Sequence, residues 1–313
     1  MSTGFKKKCK TRTSVTLSVD SKEITSNFLQ HFTGIKDPRA ERTRLHLLTD
    51  IMTISLHTVS AWASEHRLIL GQTKVSCKSN EITAIPALLE TLDLSGCIIT
   101  IDAMGTQKSI AEQIIAGNAD YILSLKDNHP TLHQQVKNWF KTAQSLNFKG
   151  VDVSISQRVE KGHHRIENRT VYTVPISQLP ALYEQNQWAG LTTVVMVVRK
   201  VQHWNKTTHE IQFYITSLDS DANKIGSAIR QHWGIENSVH WTLDVTFHED
   251  ECRIRSMHSP QNFALLRRIA LNALDREPTF RRSIRQKSRR AAMNDQYMVS
   301  VLAASIANYS PLL

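Results

Sequence analysis

The hydrophobic positions of this chain change period several times between residues 57 and 144. The first part alternates between apolar and polar residues on either side of a polar turn at 64–67, which predicts two antiparallel strands. From Glu81 the apolar residues recur at helical spacing, and the continuous apolar run at 98–101 predicts a central parallel strand. A helix, a strand and a helix follow. This alternation predicts an α/β sheet with helices packed on it.

After residue 150 the pattern becomes mostly extended, and we interpret residues 150–217 as a β-rich insertion. Helical spacing returns at about Ala222. A second late helix, which begins with a proline at its first turn, is predicted from Ser259 through Leu274. The four strands predicted in the insertion are Val151–Ile155, Arg165–Val174, Leu191–Val201 and Ile211–Thr216.

Composition restricts the classes of protein that fit this pattern. The chain has 313 residues, 41% of them hydrophobic, and a net charge of +10, so it is neither disordered nor low in complexity. No apolar run reaches the length of a membrane helix, and the basic N-terminus lacks the apolar segment of a secretory signal. The four cysteines have no CxxC spacing and fit reduced thiols of a cytosolic protein. The basic excess favours a polyanionic partner, most often nucleic acid.

Asp102 directly follows the apolar run and precedes Ala-Met-Gly. Carboxylates at the C-terminal end of a parallel strand are rigidly held and face the crevice where α/β folds bind ligands. Such a position suits a Mg²⁺ ligand, because Mg²⁺ requires nearly octahedral oxygen geometry. The alternative interpretation, that Asp102 only caps the next helix, fits the sequence equally well.

The second candidate constellation lies within AIRQHWGIENSVHWTLDVTFHEDECRIR, residues 228–255. If this segment is helical, His232, Glu236 and His240 stack on one face at i, i+4 and i+8. A carboxylate between imidazoles, followed by Arg253 and Arg255, suits metal-dependent chemistry on phosphates. Two alternatives are a zinc site, which lacks the H-E-x-x-H spacing of metalloproteases, and a solvated helix face.

Two basic segments are candidates for contact with a nucleic-acid backbone. In GHHRIENR, residues 162–169, a strand would place Arg165, Glu167 and Arg169 on one face, as a basic patch or as an ordinary charge ladder. The stretch 276–290 contains seven Lys or Arg residues and one Glu, a density typical of solvated, mobile or phosphate-binding segments.

Several long motifs resemble the H-repeat-associated group of bacterial insertion-sequence transposases. They are KSNEITAIPALLETLD, TIDAMGTQKSIAEQI, DYILSLKDNHPTLHQQV, HWGIENSVHWTLDVTFHEDECRIR and RRAAMNDQYMVSVLA, in this order. The resemblance extends from about His57 to the C-terminus. It implies a DDE-type enzyme with a ribonuclease-H-like mixed sheet, flanking helices and a β-rich insertion at about 150–217.

The resemblance also implies the chemistry. Three acids would hold two divalent ions, Mg²⁺ or Mn²⁺, with Asp102 as the second acid and Glu236 as the third. The partners would be double-stranded DNA (element ends and target) and further copies of the chain, in a bacterial cytoplasmic, nucleoid-associated protein without a membrane segment. The predicted contacts to DNA are Arg165, Arg169, His232, Arg253 and Arg255.

The sequence departs from the family at the first acid. The family carries this acid in a strand that reads roughly A-I-D-G-K, and no such motif precedes the ribbon near His57. We therefore predict an internal deletion, which leaves residues 1–56 as a basic segment and truncated accessory helical domain and 57–313 as the transposase domain. The first catalytic strand would be missing. Asp50 is the nearest upstream acid, in a context that matches the accessory domain.

The deletion predicts impaired cleavage and reduced stability, because a two-metal site would lack one carboxylate and the sheet one strand. The expected function is a transposase of a bacterial insertion sequence that carries out metal-dependent DNA cleavage and strand transfer, in a copy that is impaired. The alternatives are a non-catalytic DNA-binding remnant, a poorly folded product of a decayed reading frame, and a zinc-dependent hydrolase that uses His232, Glu236 and His240.

Overall fold

The computed structural model describes residues 58–64, 67–74, 81–162, 165–254 and 258–306. None of the helices in these ranges has the length and apolarity needed to cross a membrane. The strands are β1 Thr58–Ala63, β2 Leu68–Lys74, β3 Ile98–Ile101, β4 Asp120–Leu125, β5 Ser154–Gly162, β6 Arg165–Pro175, β7 Thr193–His203 and β8 Thr207–Thr216. The helices are α1 Glu81–Leu89, α2 Lys108–Ala116, α3 Pro130–Ser145, α4 Ala222–Ile235, α5 Trp241–Val245, α6 Ser259–Arg276, α7 Ile284–Met293 and α8 Asp295–Ile306.

Six of the strands form one mixed sheet in the order β3-β4-β8-β7-β6-β5. Strand β3 pairs with β4 in parallel, and β4 pairs with β8 in the antiparallel direction, with Ile122 opposite Thr216. The strands of the predicted insertion therefore do not form a separate sheet, because they continue the sheet that begins with β3. This mixed α/β architecture confirms the predicted fold class and is consistent with a ribonuclease-H-like transposase fold.

The two faces of the sheet build two hydrophobic cores. Alternation along β4 directs Tyr121, Leu123 and Leu125 to one face, where they pack with residues of α1, α2 and α3. Ile122 lies on the other face, with Ile225 and Ile229 of α4. All of these residues are at most 3% exposed, so β4 is buried on both sides, as its apolar sequence predicts.

Strands β1 and β2 form a separate antiparallel hairpin, as the alternation predicts. Asn272 of α6 accepts a hydrogen bond from the Ile69 amide and donates one to the Ile69 carbonyl, both at 2.9 Å. Arg268 of the same helix donates to Ser60 Oγ at 3.2 Å. The hairpin is therefore held by side chains of α6, and within the described residues it shares no strand pairing with β3.

The structure differs from the sequence prediction at three places. The strand predicted over Val151–Ile155 is found at Ser154–Gly162. Strand β3 is parallel, as expected, but among the described residues it is the end of the sheet, and its four residues are only half-buried. The helical segment from Ala222 continues as a π-helical turn over Glu236–His240. The expected α-helical face of His232, Glu236 and His240 is thus interrupted, because a π turn bonds each residue to the fifth one along.

The last three helices pack around a buried carboxylate. Glu277, at the end of α6, accepts hydrogen bonds from the Thr279 amide at 2.6 Å, from the Phe280 amide at 3.2 Å and from the Tyr297 hydroxyl at 2.7 Å. Burial alone would raise the pKa of this carboxyl group, but these donors and the Thr279 hydroxyl outweigh burial and lower the pKa to about 2. The carboxylate fixes the segment between α6 and α7.

We predict that this network makes the fold sensitive to acid. The folded-state pKa of Glu277 lies below its ordinary value of 4.5, so its contribution to stability is present above that value and is lost as the pH falls toward about 2. Replacing Glu277 by Gln should lower the free energy of unfolding by about 1–3 kcal/mol at neutral pH. The difference from the unsubstituted chain should shrink as the pH falls.

Urea unfolding between neutral and acidic pH measures this difference. Glu112 on α2 is exposed, so Glu112→Gln serves as the control and should change stability little. Equal stability of the Glu277→Gln and Glu112→Gln variants at neutral pH would contradict the prediction. Tyr297→Phe removes one donor and tests the network with the carboxylate kept.

Candidate active site

Asp102 lies one residue beyond β3, at the edge of the sheet where that strand ends. Its backbone is still extended, with φ −75° and ψ 179°, and its side chain is exposed. It precedes a 3₁₀ turn, Ala103–Gly105, but makes no side-chain capping hydrogen bond, and α2 begins only at Lys108. The capping interpretation is therefore not supported, and the carboxylate is available for other ligands.

The glycine of the Asp-Ala-Met-Gly segment is required by close packing. A Cβ atom at Gly105 would lie 2.6 Å from Ile85 Cδ1 and would also clash with the Ile101 side chain. Only glycine therefore lets the 3₁₀ turn pass between α1 and β3. The turn that follows Asp102 is held tightly against the end of the strand.

Three side chains fix the backbone of this turn. The buried Thr106 hydroxyl lies 2.7 Å from the Ser124 carbonyl oxygen of β4 and 3.2 Å from that of Asp102, and it can donate to either. From the segment between β4 and α3, Asn128 donates to the Ala103 carbonyl, and His129 Nε2 lies 2.7 Å from the Thr106 carbonyl. This scaffold gives Asp102 the rigidity that a metal ligand needs.

Helix α4 places His232, the first residue of the predicted His232, Glu236 and His240 group, against the same strand. His232 Nδ1 lies 3.0 Å from the Thr100 hydroxyl of β3. Thr100 and Asp102 are two residues apart in extended backbone and lie on the same side of the strand. The π-helical turn begins at Glu236, about one turn after His232. Glu236 therefore follows directly after a helix whose last turn contacts β3. The side chain of Glu236 lies outside the described residues.

The predicted charged face on β6 is present and is joined to neighbouring strands. Glu167 is 6% exposed, lies 2.6 Å from Arg169 and also binds Arg199 of β7 at 3.0 Å. Arg199 is the largest influence that lowers the pKa of the Glu167 carboxyl group. The Arg165 side chain is 44% exposed and 3.9 Å from Glu167, whereas that of Arg169 is 12% exposed. Arg165 is thus the more accessible of the two predicted DNA contacts.

A second ion pair attaches the β5–β6 hairpin to α4. Arg230 lies 3.1 Å from Glu160, and Arg158 donates to Ser227 at 2.7 Å. Gly226 permits this approach, because a Cβ atom there would meet Val171 at 3.0 Å. The β5–β6 hairpin, which carries Arg165 and Arg169, is therefore attached to α4, the helix that carries His232.

The remaining predicted residues are less well placed. Arg253 is exposed in the loop after α5, and Arg255 and Asp50 lie outside the described residues. Among the described side chains, no three His, Cys, Asp or Glu residues form a group that could hold a metal ion. Because the Glu236 side chain is not among them, neither the acid set nor the zinc alternative is tested.

Sequence reasoning missed several residues that position the site. Thr106, Asn128 and His129 occur in motifs quoted for the family resemblance, but no spacing rule assigned them a role. The signal was present: Lys-Asp-Asn-His-Pro falls between a buried strand and a helix that begins with proline, the usual place for residues at a sheet edge. Arg199 was missed because its partner Glu167 is distant in sequence.

Comparison with known proteins identifies the family. A family model described as a transposase DDE domain matches residues 49–273. The chain belongs to the DDE transposase family. This match covers the hairpin, the six-stranded sheet, the Asp102 turn, α4 and most of α6.

Curated relatives from Escherichia coli (strain K12) support the same assignment. The chain is 40% identical over 257 residues to "Putative protein YbfL" and to "H repeat-associated putative transposase YhhI". In both cases the match covers 80% of this chain and 66% of the relative. This transposase-family chain therefore spans just under two thirds of the length of these relatives.

We predict that Gly105→Ala displaces the Asp102 turn. The new methyl group would overlap the Ile85 and Ile101 side chains, which should lower the free energy of unfolding by about 1–3 kcal/mol. Gly162 has open space around its Cβ position, so Gly162→Ala should change stability by less than about 0.5 kcal/mol. Urea denaturation of both variants tests this, and similar stabilities would show that the packing around Gly105 yields easily.

Proposed function

We propose that this chain is a transposase of a bacterial insertion sequence whose ancestral reaction is divalent-metal-dependent DNA cleavage and strand transfer. Asp102 is the second acid of the DDE set and Glu236 the third. The substrate is double-stranded DNA, at the ends of the element and at the target. The protein acts as a homo-oligomer, because two element ends must be brought together.

The position of Asp102 is the observation that carries this proposal. Its carboxylate is exposed at the end of a parallel strand, makes no capping bond, and precedes a turn whose backbone is fixed by Thr106, Asn128 and His129. The contact between His232 and Thr100 supports the assignment of Glu236, since it binds the preceding helical turn to the same strand. A π-helical turn, as found at Glu236–His240, is frequent at functional sites.

The Asp102 carboxylate is a donor of the kind that a hard divalent cation prefers. Carboxylate oxygen is the ligand that Mg²⁺ and Mn²⁺ prefer, and Asp102 offers one on a rigid backbone. When bound, such ions would polarise the phosphodiester and activate water or a DNA 3′-hydroxyl for attack. In cleavage, water attacks phosphorus, the bond from phosphorus to the 3′-oxygen breaks, and a 3′-hydroxyl is left. In strand transfer, that hydroxyl attacks a target phosphorus.

We further propose that cleavage is impaired in this chain because the first acid is missing. The A-I-D-G-K strand has no counterpart in the sequence. Asp50 is the nearest upstream acid and the candidate for the position of the first acid. With one carboxylate fewer, the site loses charge stabilisation in the transition state.

The alternative function is a non-catalytic DNA-binding remnant. The missing A-I-D-G-K motif favours this alternative, because binding of a DNA backbone does not need the complete acid set. Such a protein would retain salt-dependent affinity for DNA and could compete with intact copies for element ends.

Nicking of supercoiled DNA in Mg²⁺ or Mn²⁺ tests the proposed function. We expect the unsubstituted chain to nick weakly while it binds DNA. Any nicking should be lost in both Asp102→Asn and Glu236→Gln. Asp152 is exposed at the start of the insertion, and Asp152→Asn is the matched control that should retain the activity of the unsubstituted chain.

The outcomes separate the alternatives. Robust nicking that both substitutions abolish would show that another carboxylate, such as Asp50, completes the site. Nicking that survives both substitutions would exclude Asp102 and Glu236 as the acids. Absence of nicking with DNA still retarded on a gel would support the remnant, and absence of DNA binding would contradict both functions.

A further inference from the structure

The structure divides the seven basic residues of the 276–290 segment into two groups. Three of them bind to other parts of the protein, and four project outward. The sequence alone did not distinguish them, because all seven occur within fifteen positions.

The first group consists of Arg276, Lys287 and Arg290. Arg276 lies 3.4 Å from the Ser305 carbonyl oxygen on α8. Lys287 is 6% exposed and donates to the Leu274 carbonyl at 2.7 Å and to the Glu277 carbonyl. The Arg290 guanidinium lies over the rings of Phe280 and Tyr297, at 4.5 and 4.7 Å from their centres. These three cations stabilise the packing of α6, α7 and α8.

The second group, which we name the α7 arginine face, consists of Arg281, Arg282, Arg285 and Arg289. All four are exposed, and none forms an ion pair with an acid in the part of the chain that the structure describes. Arg285 and Arg289 lie one turn apart on α7, on the side opposite the buried Lys287. Arg281 and Arg282 directly precede Ser283, which caps the helix by accepting from the Gln286 amide.

This arrangement is unfavourable for the isolated protein. The N-terminal end of a helix carries a partial positive charge, so arginines there repel the helix dipole and one another. The first turn of α7 contains no acid to offset them. Such an arrangement is favourable when an anion is present, because the cations and the helix terminus then attract it together.

The backbone that carries the α7 arginine face is fixed by packing and hydrogen bonds. Ile284 packs against the clusters that contain Leu271 and Leu274, and the preceding loop is fixed by the Glu277 carboxylate. The backbone that carries the four arginines is therefore positioned before any ligand binds, which lowers the entropic cost of binding.

We propose that the α7 arginine face binds the phosphate backbone of duplex DNA, at elements separate from those that carry Asp102. The inference rests on the proposed function, since it names a further DNA contact of the same protein. Each planar guanidinium group can donate two hydrogen bonds to one phosphate. Several such groups side by side therefore suit a polymer with regularly spaced phosphates.

The test measures affinity for a short duplex by fluorescence anisotropy between about 50 and 200 mM salt. Two double variants of the full chain, Arg281→Gln with Arg282→Gln and Arg285→Gln with Arg289→Gln, each remove two positive charges. Lys137→Gln with Lys141→Gln is the matched control, because these lysines are also exposed and one turn apart, on α3.

We expect each arginine double variant to bind more weakly and to reduce the slope of log affinity against log salt by about 2, or about 0.9 per phosphate contact. The control should keep the slope of the unsubstituted chain. Binding should weaken to the same extent for duplexes of different sequence, as expected of backbone contacts. Arg285→Lys with Arg289→Lys, which keeps both charges, should retain most of the slope.

Slopes for the arginine variants that equal the control slope would overturn the proposal, as would a loss confined to one duplex sequence. Thermal melting of each variant shows whether it is folded, and the lysine variant provides the comparison if the glutamine variant is not. If the unsubstituted chain binds the duplex but the arginine variants bind equally well, only this inference fails. If the unsubstituted chain does not bind, the proposed function fails with it.

Discussion

Strand β4 is paired on both of its edges and buried on both of its faces, and the organisation of the molecule depends on this. One edge is parallel to β3 and the other antiparallel to β8, so the strand joins the Asp102 region to the four strands of the insertion. Side chains strengthen this junction. The Thr216 hydroxyl lies 2.6 Å from the Tyr121 carbonyl oxygen, and Ser217 Oγ lies 2.7 Å from an Asp120 carboxylate oxygen. Strand β4 contributes side chains to both hydrophobic cores, so both cores depend on it.

Two sets of contacts connect β4 to the candidate active site. Along one, Thr106 contacts the end of β4 and holds the turn after Asp102 against it, while Asn128 and His129 support that turn from the loop that leaves β4. Along the other, the Ile122 face of the sheet packs on α4, whose His232 contacts β3. A single buried strand thus fixes both the acid at the sheet edge and the helix that leads to Glu236.

Positive charge serves two different purposes in this protein. Arg199 and Arg230 bind carboxylates on other strands that are distant in sequence. Arg169 pairs with Glu167 on its own strand, and Lys287 binds carbonyl oxygens at the end of α6. The four residues of the α7 arginine face and Arg253 are exposed and form no ion pair within the described residues. The presence of a partner separates these purposes, because a cation that is withdrawn from water needs a partner to replace the lost hydration. The count of 38 Lys and Arg residues therefore overstates the number of cations that are available to a ligand.

Short-range patterns in the sequence predicted the local elements and the candidate chemistry at the sheet edge. Alternation predicted the hairpin, helical spacing predicted α1 to α4 and α6, and the motifs indicated the family and the candidate acids, because these properties depend on short-range periodicity and residue type. Tertiary structure alone decided the rest. That the insertion continues the sheet through β8, that β3 is the end of the described sheet, and that Glu236 begins a π turn are consequences of contacts between residues far apart in the chain. The same holds for the division of seven neighbouring cations into three that stabilise the fold and four that face outward, since tertiary partners cannot be inferred from adjacency.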